Sequence, residues 1–131
     1  MKTPLLRIAL ALAAAMPLVS HAQDSNLTKQ FGTCIDKSGG VTMDMIECIG
    51  AEIQRQDARL NKAYKALTAS LTPERKKQLQ EAQRAWIKFR DSNCGFYYDP
   101  DGGSMARVSA NDCLMNMTAS RAKELESLNQ P

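Results

Sequence analysis

Beyond residue 22 the sequence contains no histidine; the single one, His21, falls in the leader-like start of the chain. That absence excludes imidazole acid–base catalysis, Ser–His and Cys–His nucleophiles, and most zinc sites. There is no C-x-x-C pair, which removes a thioredoxin-like redox motif and a zinc ribbon. Long apolar runs are also missing: the one near the start, Ile8 to Val19, is too short to cross a bilayer. No internal repeat, low-complexity tract or sustained period-two alternation is present, so neither a solenoid nor a β-rich domain is expected. Aromatics are few, with one Trp, three Tyr and three Phe.

What is there begins with an export signal. Lys2 and Arg7 precede the alanine- and leucine-rich run, and Ser20-His21-Ala22 supplies small residues for cleavage before Gln23. Residues 1–22 are therefore expected to be a signal peptide. Residues 23–131 then form one domain, periplasmic or secreted, with no lipobox cysteine and no membrane anchor after cleavage. That part carries 15 basic and 14 acidic residues, a net charge of +1. In an exported domain this small, the four cysteines imply two disulfides. Three pairings are possible. Cys34–Cys48 and Cys94–Cys113 are favoured because each closes a short local loop.

Helical periodicity dominates. Ile46, Ile49, Ile53, Leu60, Tyr64, Leu67 and Leu71 recur at three- and four-residue steps, with Thr42 placed to cap the start. Thr72-Pro73-Glu74 is a second helix start: cap, proline at the first position, acid in the first turn. Its closeness to the first helix predicts an antiparallel hairpin. Gly95 to Asn111 has loop composition, and Asn111 or Asp112 is placed to cap a third, shorter helix. Residues 23–42 read as an irregular lead-in with a helical turn near Leu27 to Cys34. The fold class expected is all-α: two long helices plus a shorter third, stapled by two disulfides.

Three charged residues interrupt the apolar stripes: Asp57, Arg90 and Arg121. Buried charges need partners. Asp57 lies 15 residues before the Thr72 turn and Arg90 lies 18 after it, a height difference of roughly 5 Å in a hairpin. An Asp57–Arg90–Arg121 network is predicted, with Asn61, Gln83 and Thr118 as further partners and Trp86, Phe89 and Tyr64 in the core. It is expected to hold the fold rather than catalyse: one carboxylate with no second acid, no histidine and no metal ligand set is a poor hydrolase. No cofactor, metal or enzymatic activity is expected.

Charge is uneven along the chain. Residues 59–90 carry nine basic and two acidic groups, whereas 36–57 and 91–131 are each net −3. One end of the hairpin is thus basic and the other acidic and aromatic, which suits a cationic partner at the acidic end. The basic end suits anionic envelope polymer. Aromatics are not interleaved with the basic run, which argues against nucleic acid.

The run Asp57-x-x-Leu60-Asn61-x-x-Tyr64, then Gln83-Arg84-Ala85-Trp86-Ile87-x-Phe89-Arg90-Asp91-x-x-Cys94, Gly102-Gly103-Ser104, Cys113 and Thr118-x-x-Arg121-x-x-x-Leu125 resembles the lysozyme inhibitor LprI-like N-terminal domain family, which includes YecT-like small exported bacterial proteins. The resemblance spans about Cys34 to Leu128. It implies a helical, disulfide-bonded inhibitor of lysozyme, although the family's namesake is a lipoprotein and this chain lacks the anchoring cysteine. A lysozyme cleft carries catalytic carboxylates in an often cationic protein. A protruding loop with hydroxyl, aromatic and basic groups ringed by acids suits it. Tyr97, Tyr98, Asp99, Asp101, Ser104 and Arg107 are the candidate contacts with a muramidase, made by a monomer or weak oligomer. The competing expectation is an envelope binding or adaptor module that uses the basic end.

Overall fold

The computed structural model describes residues 26–130. The expected leader, residues 1–22, lies outside them. Four helices follow in order: α1 Lys29–Ser38, α2 Thr42–Ala69, α3 Pro73–Phe96 and α4 Gly103–Leu128. The domain is all-α, and both disulfides are those favoured from loop length, Cys34–Cys48 and Cys94–Cys113.

Helix boundaries follow local chemistry. The Thr28 hydroxyl accepts from the Phe31 amide to start α1. Gly39 and Gly40 end it at φ 57° and 81°, a left-handed exit that glycine takes without a Cβ penalty. Thr72 accepts from the Arg75 amide with Pro73 at the first helical position, as the sequence predicts. Thr42 does not cap α2. It is the first helical residue, preceded by Val41, which makes no side-chain cap.

Two stretches expected to be irregular are helical. The lead-in holds α1, ten residues long, because Cys34 and Thr28 tie it onto α2. The Gly95–Asn111 loop shrinks to Tyr97–Gly102, and the final helix is 26 residues long, longer than the 24 of α3. The reason is tertiary: Ala106 and Ala110, one turn apart, are both buried, which rewards extending the helix back to Gly103. Asn111, expected to cap, sits inside α4, where its side-chain amide donates to the Arg107 carbonyl at 2.9 Å.

Helices α2, α3 and α4 run up, down, up, so α2 and α4 are parallel, and α3 lies against α4. The tightest packing is α2 on α4 rather than within the α2–α3 hairpin. Leu60, Ala63 and Leu67 meet Ala122 and Leu125, with Tyr64, Leu71, Leu79 and Trp86 packed around them. Ala106, Ala110, Ala119 and Ala122 are all buried on α4, and such small side chains let the helix backbones approach closely. Full burial of Leu60, Leu67 and Leu125 contributes about 2 kcal/mol each. By contrast, Cys94 is the sole buried residue of α3 among the described residues. Ile87 and Phe89, expected on its inner face or in the core, are exposed. The inner stripe is narrow, carrying Leu79, Gln83, Trp86, Arg90 and Cys94, and positions 87 and 89 fall on its flanks.

Candidate functional site

The charged residues of the stripes are brought together by Trp86 rather than by Asp57. The Arg90 guanidinium lies 5.1 Å from the indole centroid and that of Arg121 lies 5.8 Å from it, so both cations rest on the same ring. Arg90 donates from Nη1 to Thr118 Oγ1 at 3.2 Å and from Nε to Asp91 Oδ1 at 2.9 Å. Arg121 donates from Nε to Gln83 Oε1 at 3.0 Å and from Nη1 to Glu124 Oε2 at 2.7 Å. Asp57 reaches Arg90 only at 3.8 Å, and its side chain is 49% exposed. Such a long, solvated pair contributes little. Asn61 is exposed and, among the described residues, makes no side-chain hydrogen bond to this cluster. The two arginines need no buried carboxylate because their guanidiniums lie over the indole ring while their nitrogens reach neutral acceptors or water-facing acids.

A second polar cluster escaped the sequence analysis. Glu52 is fully buried on α2, yet its carboxylate is saturated. It accepts from the Thr28 amide at 2.8 Å, the Thr28 hydroxyl at 2.6 Å, Gln56 Nε2 at 2.7 Å and Arg55 Nε at 2.6 Å. Burial pushes its pKa up, but the donors from Thr28, Gln56 and Arg55 outweigh burial and hold it below the ordinary glutamate value. Next along, Arg59 grips Glu126 of α4 in a two-pronged pair at 2.7 and 2.6 Å and donates to the Asn26 carbonyl at 3.1 Å. The Arg59 hydrogen bonds lower the Glu126 pKa and raise that of Arg59. Glu52 and Gln56 continue the i, i+4 row from Cys48 to Leu60. That polar pair inside a buried row was the available signal.

The third locality is the α3–α4 junction. Phe96, Tyr97 and Tyr98 are 83%, 49% and 55% exposed, and Phe96 and Tyr97 meet edge to face with centroids 6.1 Å apart. Asp99, Asp101, Ser104 and Arg107 are exposed as well. Ser104 and Arg107 lie on the first turns of α4 rather than in a loop. The junction is nonetheless tightly determined. The Cys94–Cys113 disulfide clamps its base, with the Met117 sulfur 3.6 Å from that of Cys94. The Asp101 amide donates to Asp99 Oδ1 at 2.9 Å and the Gly102 amide to the Asp99 carbonyl at 3.1 Å. A Cβ on Gly102 would sit 2.8 Å from that of Ala106, so the turn admits only glycine without a shift. Below Tyr98 a cavity of about 300 Å³ is lined by Asp91, Cys94, Gly95, Ala110, Asn111 and Leu114.

Among the described residues no three His, Cys, Asp or Glu side chains gather to hold a metal, and no helix is long and apolar enough to cross a membrane. Fold and site define a small helical, disulfide-stapled module that presents a rigid aromatic and acidic end. The chain matches the model of the family Lysozyme inhibitor LprI over residues 34–125, and it belongs to that family, whose proteins are inhibitors rather than enzymes. A relative from Rhizobium meliloti (strain 1021), the uncharacterized protein R02472, is 32% identical over 100 residues, covering 66% of this chain and 72% of that protein. No solved structure matches the chain.

Proposed function

We propose that this protein is an exported inhibitor that acts in the periplasm or outside the cell and binds lysozyme through the α3–α4 junction. The observation that carries the proposal is family membership over residues 34–125, which include the whole junction. Three features support the location. Tyr97 and Tyr98 are about half exposed on a base fixed by a disulfide, and preorganised aromatics are the side chains that anchor protein interfaces. Asp99, Asp101 and Asp112 outnumber Arg107, the one basic residue from 95 to 113, so the junction is acidic and complements a cationic partner. Ser104 and Arg107 are exposed on the first turns of α4 and supply donors for a carboxylate-lined cleft.

The Trp86, Arg90 and Arg121 cluster serves this site indirectly in the same proposal. It fixes the face of α3 toward α4 and so sets where Tyr97 and Tyr98 emerge. The experiment is titration of purified oxidised protein against muramidases of animal c, g and i type and of phage type near physiological salt. At least one class is expected to be inhibited. Inhibition of none contradicts the proposal.

A further inference from the structure

We propose that the outer side of α3 is a second docking surface, which rests on an anionic lipid bilayer while the acidic junction stays free. Most of this helix is unused by the fold, with only Cys94 buried. Lys77, Arg84 and Lys88, at steps of seven and four, form one row and are exposed. None of the three is in a hydrogen bond or ion pair among the described residues. Glu81 and Asp91 are the acids within that row, and Asp91 is paired with Arg90, which leaves the row net positive.

About 100° round the helix, Ala82, Ala85, Phe89 and Phe96 make a second row at steps of three, four and seven. All four are exposed, Phe89 at 60% and Phe96 at 83%. Large exposed aromatics on a helix that also presents unpaired cations are the two halves of an interfacial helix: rings enter the headgroup boundary and basic side chains meet phosphate. A soluble polyanion would be met by the charges alone and gives no reason for the phenylalanine row.

Flotation of the oxidised full chain with vesicles tests this. Binding is expected to vesicles of equal phosphatidylglycerol and phosphatidylcholine at low salt, and not to phosphatidylcholine alone. K77E/R84E/K88E should weaken binding by roughly a hundredfold or more, at about fivefold for each basic residue lost. Phe89→Ser should weaken it by about tenfold. All four positions are exposed, and helicity by circular dichroism confirms that each variant is folded. Equal binding by wild type and the triple variant overturns the proposal, as does absence of binding to either vesicle. Loss with the triple variant but none with Phe89→Ser also overturns it, because the surface would then bind polyanions without a membrane. The triple variant should inhibit lysozyme like wild type, so failure here and failure of lysozyme inhibition are separate results.

Discussion

Glu52→Ala removes the carboxylate on which the α1 end of the molecule converges. Four hydrogen bonds disappear: two from Thr28 and one each from Gln56 and Arg55. Hydrogen bonds to a charged group are worth about 1.5–3 kcal/mol each, but not all of that is lost. Arg55 is one-third exposed and Thr28 half-buried, so water takes over there. Gln56 is 2% exposed and keeps only the Asn26 carbonyl as acceptor for its amide. The cavity left by the side chain adds to the cost. The expected loss is about 3 kcal/mol, a fall in Tm of about 15 °C for a domain of this size. Thermal unfolding of the oxidised protein, followed by circular dichroism at neutral pH, measures it. The pH dependence gives a second reading of the same group. The folded pKa of Glu52 is lowered, so its contribution is fully present above the unfolded glutamate value of about 4.3 and disappears as pH falls below that through the folded pKa. Glu126 shifts in the same direction and adds to the acid limb. Glu52→Gln should therefore lower Tm at pH 7 and flatten its decline below about pH 4.3. An alanine variant that melts within 3 °C of wild type, by the same scale of roughly 5 °C per kcal/mol, would refute the reasoning.

Other perturbations discriminate among the remaining parts. Leu125→Ala opens a cavity between α2 and α4 and should cost about 3 kcal/mol in a denaturant titration. Replacing Cys94 and Cys113 together by serine removes a 19-residue link and about 3 kcal/mol by the loop-entropy estimate. Because α3 buries little else, this change should also weaken lysozyme inhibition more than Leu125→Ala does, even at temperatures where both variants are folded. Gly103→Ala imposes a side chain at φ 61° and should cost about 1–2 kcal/mol by the same titration. Arg59→Ala leaves Glu126 partly solvated, so a smaller loss of about 1 kcal/mol is expected.

Much of this architecture was legible in the residues. Period 3.6 marks α2 and α3, Thr72-Pro73-Glu74 marks the turn between them, and loop length selects the disulfides. The family resemblance likewise agrees with the matched region. The early start of α4 was not legible, because Pro100 to Gly103 and Asn111-Asp112 carry loop and cap chemistry, whereas the reward for helix comes from Ala106 and Ala110 meeting neighbours distant in sequence. Asp57 drew attention as a charge in an apolar stripe, yet it is half solvated. Glu52, which is buried, hid beside it because two of its four donors come from Thr28, 24 residues away. Helix geometry places Arg90 and Arg121 near one another, but their shared partner is the Trp86 ring, and a wheel does not show a cation over a ring. The candidate contacts at Tyr97, Tyr98, Asp99 and Asp101 lie in an exposed turn, and Ser104 and Arg107 lie on the helix that follows it.

The proposed inhibition of lysozyme runs through the junction that Cys94 and Cys113 hold in place. It is tested most directly by titrating a sensitive muramidase with wild-type protein and with Y98A/S104A/R107A, whose three positions are exposed and leave the core untouched. Wild type should inhibit stoichiometrically, and the triple variant, folded and equally helical, should require at least about a hundredfold more protein, the loss of an aromatic anchor with its charged neighbour. Equal inhibition by the two proteins would contradict the account.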